Sequence, residues 1–191
     1  MAIPASQDPG FGFVPGDHVC AFYSSRSVLD DIVADFVTNG LEAGSKVLCM
    51  VDRPSEVRSR IPAQFTANDE TLLVLTEDEA YMPDGHFTAD GFIATIKAKI
   101  AEASDHGYDS FRAVGDESFV VRNRVDIKEW FAAESELNKI VPEFPHFFFC
   151  LYDLDLFDGK TVKQVLRMHP RVYVNGILIG NPHYQPDPIP G

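Results

Sequence analysis

Basic residues are scarce in this sequence. Lys and Arg number 16 against 29 Asp and Glu, a formal net charge of −13. A surface of that sign repels nucleic acid and anionic membranes, so direct binding to either is not expected. Cysteine is scarce too. Cys20, Cys49 and Cys150 are widely spaced, each inside an apolar run; this is neither a disulfide framework nor a metal-ligand spacing, and it suits a reducing compartment. The longest apolar runs reach about half a membrane span. The stretch Met1–Asp8 lacks the basic start and apolar core of a signal peptide, so a cytoplasmic chain without membrane association is expected. Glycine is missing from one telling place. His18 to Leu29 reads as a buried strand, a tight turn and the start of a helix, the unit that carries a glycine-rich phosphate loop in many α/β nucleotide-binding proteins. Here the turn is Tyr23-Ser24-Ser25-Arg26-Ser27, with neither glycine nor lysine. If the fold is of that kind, its phosphate-binding part has gone, which points away from an NTPase and towards a sensing or binding module.

What is present is ordinary for one globular domain: 191 residues, 45% hydrophobic. Residues 1–16 carry proline and glycine without periodicity and read as a flexible arm; the domain proper spans 17–184, and 185–191 form a proline-rich tail. Strands are expected at His18–Phe22, Lys46–Val51, Leu72–Leu75, Phe111–Val114 and Phe147–Tyr152, the last the most apolar and so central. Apolar residues at spacings of three to four mark a helix through Val28, Leu29, Ile32, Val33, Phe36 and Val37 that Asn39-Gly40 should stop. A short helix opens at Arg53-Pro54-Ser55. Further helices are expected over Ala89–Ala103, Val125–Ile140 and Lys160–Met168. Thr76 to Phe87 reads as a long connection with a turn at Pro83-Asp84-Gly85. Val172 to Ile179 reads as a hairpin around Asn175-Gly176. Strand and helix alternate five times, so the expected fold is α/β, a largely parallel central sheet flanked by helices with a C-terminal β-hairpin.

Ligands of such sheets sit beyond the carboxyl ends of the strands. Those ends carry Tyr23, Ser24 and Ser25; Asp52 and Arg53; Thr76 to Glu79 and then Tyr81; Asp116, Glu117 and Ser118; and Tyr152, Asp153 and Asp155. The edge is rich in carboxylates and aromatics, with Arg53, Arg112, Arg122 and Arg124 to balance part of the charge. Solvated loop residues and helix caps explain many of these carboxylates equally well. Asp158-Gly159-Lys160-Thr161 imitates the end of a phosphate loop, but Leu154 stands where the first glycine is needed; a turn and helix start is the plainer reading. Glu134 falls on the apolar stripe of its helix, so it must be paired or have a raised pKa, with Asn138 one turn away as a neighbour. His169 falls on the stripe of the last helix, either capping local carbonyls or reaching an interior pocket. Cys20 and Cys150 read first as small core residues. His18, His86 and His146 show no paired spacing, so no metal site is expected, and no nucleophile elbow or ordered acid/base pair marks a catalytic residue.

Seven segments in order resemble the MEDS domain family, sensory domains of methanogen and methylotroph regulators first associated with a dichloromethane-responsive regulator. They are His18-Val-Cys-Ala-Phe-Tyr, Gly40-Leu-Glu-Ala-Gly-Ser-Lys-Val-Leu, Glu79-Ala-Tyr-Met-Pro-Asp-Gly-His-Phe, Arg112-Ala-Val-Gly-Asp-Glu-Ser-Phe, Glu134-Ser-Glu-Leu-Asn, Cys150-Leu-Tyr-Asp, and His169-Pro with Asn181-Pro-His-Tyr. The resemblance implies a RecA/KaiC-like core without its phosphate loop, and a sensory role with small organic or hydrocarbon-derived ligands. The family's polar and thiol positions fall on Cys20, Tyr23, Tyr81, Glu117, Cys150, Tyr152, Asp153 and His169. Two departures stand out: Phe119 where tryptophan is usual and Asp116 where glutamate is usual. Such domains often sit beside an output module; none is read here, so output is expected to pass through a separate protein.

Three readings follow. The first is a non-enzymatic cytoplasmic sensor of a small, mostly apolar organic ligand at the carboxyl edge of the sheet, signalling through a regulatory partner such as a kinase or anti-sigma-type protein. Tyr23, Tyr81 and Tyr152 would wall the site with Cys20 and Cys150, and Arg112, Glu117, Asp153 and His169 would orient the ligand. No cofactor is expected, and a homo-oligomer is left open. The second is a ligand-free protein-interaction module docking on such a regulator. The third, an enzyme with Glu117 or Asp153 as base and His169 as acid, has no motif that specifies a reaction.

Overall fold

Seven strands form one sheet in the computed structural model, which describes residues 11–66, 70–140 and 145–186. In chain order they are β1 (Asp17–Tyr23), β2 (Lys46–Met50), β3 (Leu72–Leu75), β4 (Phe111–Asp116), β5 (His146–Asp153), β6 (Arg171–Val174) and β7 (Ile177–Gly180). Their spatial order is β3-β2-β4-β5-β1-β6-β7. All pairings are parallel except the β6–β7 hairpin, which turns at Asn175-Gly176 as its sequence demands. β5 lies in the middle, as its apolar character predicts. Strands covered on both faces have no solvent side, which is why β1, β2, β4 and β5 are buried almost throughout and carry their apolar residues in continuous runs.

Among the described residues eight helices flank the sheet: α1 (Arg26–Glu42), α2 (Pro54–Arg60), α3 (Ala63–Thr66), α4 (Glu77–Tyr81), α5 (Ala89–Asp105), α6 (Phe119–Arg122), α7 (Ile127–Ile140) and α8 (Gly159–Met168). One core lies on the α1 and α2 side, with Val19, Phe36, Val37, Phe149 and Leu151. The other lies under α4, α5, α7 and α8, with Phe92, Ile96, Trp130, Leu137, Phe148 and Val165. Successive strand residues alternate between the two. His18 and Cys20 therefore face α7 and α8, while Tyr23 faces α1.

Three local expectations need correction. First, Asn39-Gly40 does not stop α1, which runs on to Glu42; the chain turns at Gly44, whose φ is +75°. Gly40 answers to packing instead. A Cβ there would lie 2.8 Å from Arg112 Cδ and 3.0 Å from Val47 Cγ2. Second, the connection Thr76–Phe87 is helical at its start. Thr76 and Glu79 form a reciprocal capping box that nucleates α4. Third, the arm is integral where it is described: Phe13 is fully buried against Phe36 and Phe149 in the α1-side core. At the other end Gln185 N–H donates to the Arg167 carbonyl at 2.8 Å; residues 1–10 and 187–191 of the expected arm and tail lie outside the described residues. The false phosphate loop is a cap, with the Asp158 carboxylate accepting from Thr161 N–H at 2.8 Å.

Candidate functional site

Under α7, five polar side chains from four distant parts of the chain meet in the apolar core. β1 supplies His18. α7 supplies Glu134, which its helical spacing places between Trp130 and Leu137 on the buried face. β5 supplies Cys150 and Tyr152, two residues apart and so on the same face. The residue following α8 supplies His169. His18, Glu134, Tyr152 and His169 are fully buried, and Cys150 is 5% exposed. β1 and β5 run in register with Cys20 opposite Cys150, which places His18 diagonally across from Cys150.

Each member is oriented by a second contact. His18 Nδ1 lies 3.0 Å from Asn138 Oδ1. The Asn138 amide is itself oriented, because its Nδ2 donates to the Met168 carbonyl at 2.8 Å. Its oxygen therefore faces His18 as an acceptor, and His18 Nδ1 must carry the hydrogen. His169 Nδ1 donates to the Val165 carbonyl at 2.8 Å. Both imidazoles thus turn a bare Nε2 inward, towards Glu134 Oε2, at 3.1 Å from His18 and 3.3 Å from His169. Tyr152 Oη donates to the other carboxylate oxygen, Oε1, at 2.7 Å. Cys150 Sγ lies 3.4 Å from His18 Nε2 and 4.0 Å from Glu134 Oε2.

The electrostatics are those of a site needing one positive charge. Burial resists ionisation of Glu134, but the positive charge that a proton places on the facing imidazoles of His169 and His18 outweighs it and holds the carboxyl below the usual range. Burial, and then His18, push His169 below the ordinary histidine value. Burial and the Glu134 charge raise the Cys150 thiol and the Tyr152 phenol. An ionised carboxylate facing two nitrogen lone pairs is stable only if a proton or a metal cation lies among them.

A second group adjoins the first. Glu117 is fully buried, and burial with the Glu134 and Asp116 charges raises its carboxyl well above the usual range. Tyr81 stacks on Phe119 at 3.8 Å between ring centroids, with Trp130 edge-on at 5.1 Å from Phe119. Gly115 makes room for this pair: a Cβ there would lie 2.1 Å from Tyr81 Oη and 2.7 Å from Glu117 Oε1. Among the described residues Tyr81 Oη, Glu117 Oε2 and Trp130 Nε1 have no hydrogen-bond partner. Phe87 packs on the Phe119 and Trp130 rings and also walls an open groove of about 850 Å³ with Met82, Val125 and Glu129.

Of the residues expected at the site, Tyr81, Glu117, Cys150, Tyr152 and His169 come together on this face, with Cys20 beside them. Cys20 is a core thiol whose Sγ lies 3.9 Å from the Arg171 carbonyl and whose pKa burial drives upward. The other three are elsewhere. Arg112 is the second residue of β4, at the amino edge, where it donates to Ser45 Oγ at 3.0 Å and Asn39 Oδ1 at 2.8 Å and lies over the Phe147 ring; being inside a strand rather than after it, it cannot reach the carboxyl edge. Asp153 accepts from Asp155 N–H at 2.9 Å as a turn cap. Tyr23 lies across the sheet, its hydroxyl 2.8 Å from Asp116 Oδ1 and 2.9 Å from Ser118 Oγ. That edge is filled by its own ion pairs. Arg26 pairs with Asp52 and Asp30, Arg122 with Glu77 and Asp116, and Arg53 with Glu56 and, at 3.9 Å, with Asp52; of the arginines expected to balance this edge, Arg53 and Arg122 do so, joined by Arg26, while Arg112 lies at the other edge. His18 was not expected at the site because its partners lie over a hundred residues away; Glu134 showed itself only as a carboxylate on an apolar stripe.

The family profile "MEDS: MEthanogen/methylotroph, DcmR Sensory domain" matches residues 17–170. The chain belongs to the MEDS family. No curated protein matches it. Among solved structures this MEDS domain is similar to the crystal structure of a KaiC-like protein from the hyperthermophilic archaeon Pyrococcus horikoshii OT3, with a TM-score of 0.62 and 12% identity over 88% of this chain and 80% of that one. At that identity the likeness speaks for the fold: a RecA/KaiC-like sheet whose first strand ends in the glycine-free turn of Tyr23 to Ser27. In this MEDS domain Arg26, paired with acidic side chains, follows the strand where a phosphate loop would stand. No helix among the described residues is long and apolar enough to cross a membrane.

Proposed function

We propose that this sensory domain takes a small, mostly apolar organic molecule into the ring-lined interior beside Tyr81, and signals through a separate cytoplasmic regulator such as a kinase or anti-sigma-type protein. The reading is non-enzymatic. The observation that carries it is the set of three polar atoms, Tyr81 Oη, Glu117 Oε2 and Trp130 Nε1, buried without partners in an otherwise aromatic cluster. Such atoms cost about 1–3 kcal/mol each when left unpaired, so a molecule with an apolar body and one compact polar group is favoured there. Phe87 and Met82 connect that cluster to the groove outside, so occupancy would shift the 76–87 connection that a partner reads.

Trp130 is the single tryptophan of the chain and reports on this cluster directly. Titration with dichloromethane, methanol and acetone should give a saturable change in its emission with at least one of them. Tyr81→Phe or Glu117→Gln should weaken that binding about tenfold, the equivalent of one hydrogen bond. No change with any probe, together with a native mass spectrum free of extra organic mass, would sink the reading. A second reading, an interaction module without ligand, is favoured by the exposed apolar side chains Val174, Ile177 and Ile179 on the edge hairpin.

A further inference from the structure

We infer that His18, Glu134, Cys150 and His169 form a closed, four-coordinate site for a divalent, thiol-accepting metal ion, zinc(II) by its chemistry. One donor atom from each lies within 4.8 Å of every other. Zinc bound at about 2.0 Å to nitrogen and oxygen and about 2.3 Å to sulfur has tetrahedral edges of about 3.3 Å between the light atoms and about 3.5 Å to sulfur. Of the six edges, those from the two Nε2 atoms to Glu134 Oε2 are 3.1 Å and 3.3 Å and that from Sγ to His18 Nε2 is 3.4 Å, and the two from His169 Nε2 to His18 Nε2 and to Sγ lie within 4.8 Å. The sulfur-to-oxygen edge, 4.0 Å, closes with a small shift of the thiol.

The surroundings are those of a metal site as well. Both histidines are held by their Nδ1 atoms, His18 on Asn138 and His169 on the Val165 carbonyl, so each offers a lone pair on Nε2. His169 Nε2 is buried and has no hydrogen-bond partner. Tyr152 holds the outer oxygen of Glu134. This is how metal-binding imidazoles and carboxylates are oriented. Charge agrees. Two neutral imidazoles, a thiolate and a carboxylate carry two negative charges, which a divalent ion cancels where burial weakens screening by solvent. Binding expels the Cys150 thiol proton to solvent. The four ligands leave no open position, so the ion is a fixture that ties β1, α7, β5 and the end of α8 together. The assignment does not depend on which molecule the domain senses.

The test is to produce the full chain in cobalt(II)-supplemented medium and measure metal content and absorption. The expected result is one cobalt per chain, with a thiolate-to-cobalt charge-transfer band and the intense visible bands of a four-coordinate ion. Both should be lost in Cys150→Ser and His169→Gln and kept in Cys20→Ser. Asn138→Ala, which frees the His18 ring, should weaken cobalt binding by about tenfold to a hundredfold. If a ligand variant fails to fold, the spectrum of the unmodified chain decides alone. Only traces of metal, a six-coordinate spectrum, no thiolate band, or a band lost in Cys20→Ser but kept in Cys150→Ser would overturn the assignment. A Trp130 response to organic probes that persists in metal-free protein would leave the sensing reading standing.

Discussion

Tyr152 shows how one atom decides the character of the buried cluster. Its hydroxyl is the donor to Glu134 Oε1, and a hydrogen bond to a buried charged group is worth about 1.5–3 kcal/mol. Tyr152→Phe should therefore lower the urea-unfolding free energy by about that amount. Gly115 sets a second limit at this scale. Gly115→Ala puts a methyl within 2.1 Å of Tyr81 Oη, so Tyr81 must leave its stack on Phe119; a loss of about 1–3 kcal/mol is expected, with altered Trp130 emission in the folded protein. His146 gives the pH dependence. Burial pushes its imidazole down to about 4 from 6.5, and the residue is 1% exposed. The unfolded chain takes up this proton below pH 6.5 while the folded chain does not, so stability falls as pH drops from 6.5 to 4 and this contribution levels off below. The loss should reach about 3 kcal/mol. Unfolding midpoints of His146→Gln should lose that share of the acid slope and leave the neutral-pH slope unchanged.

Elements carry these residues to their places, and their ends matter more than their middles. α8 ends at Met168, one residue before His169, and Asn181 Nδ2 donates to the carbonyls of Leu166 at 2.5 Å and His169 at 2.8 Å. A residue beyond the hairpin thus closes the helix that delivers His169. Asn181→Ala should cost about 1–2 kcal/mol and speed amide hydrogen exchange at the end of α8 before any other helix. At the amino edge Arg112 ties α1 to the α1–β2 turn through Asn39 and Ser45. Arg112→Ala should cost about 2–4 kcal/mol without changing the affinity for organic probes, which separates a structural arginine from a ligand-binding one.

On the scale of the whole molecule, the parallel order places β1 between β5 and β6, so the segment entering β1 crosses the α1-side core. Phe13 fills that core beside Phe36 and Phe149. Phe13→Ala should destabilise by about 3–5 kcal/mol, measured by thermal or urea unfolding, although the sequence around it reads as an arm. Its reading failed because Phe11, Phe13 and Val14 lie among glycines and prolines with no period, and burial without periodicity leaves no local sign. The strands, the main helices and the hairpin were legible because each depends on spacing within a short window. Glu134 was half legible. Its place on an apolar stripe demanded a partner, but neither His18 nor His169 could be named as that partner.

Local chemistry by itself determined several things about this protein. The glycine-free turn from Tyr23 to Ser27 excluded a phosphate loop, the apolar runs dictated a sheet covered on both faces, and Asn175-Gly176 dictated the hairpin. The convergence of residues 18, 134, 150 and 169, and the separation of Tyr23, Arg112 and Asp153 from them, were decided only by tertiary structure. The physical reason is the two-residue alternation of strands combined with crossover connections. Register chooses the face on which each side chain lies, so Tyr152 meets Glu134 while Tyr23, at the end of the adjacent strand, turns to Asp116 on the other side.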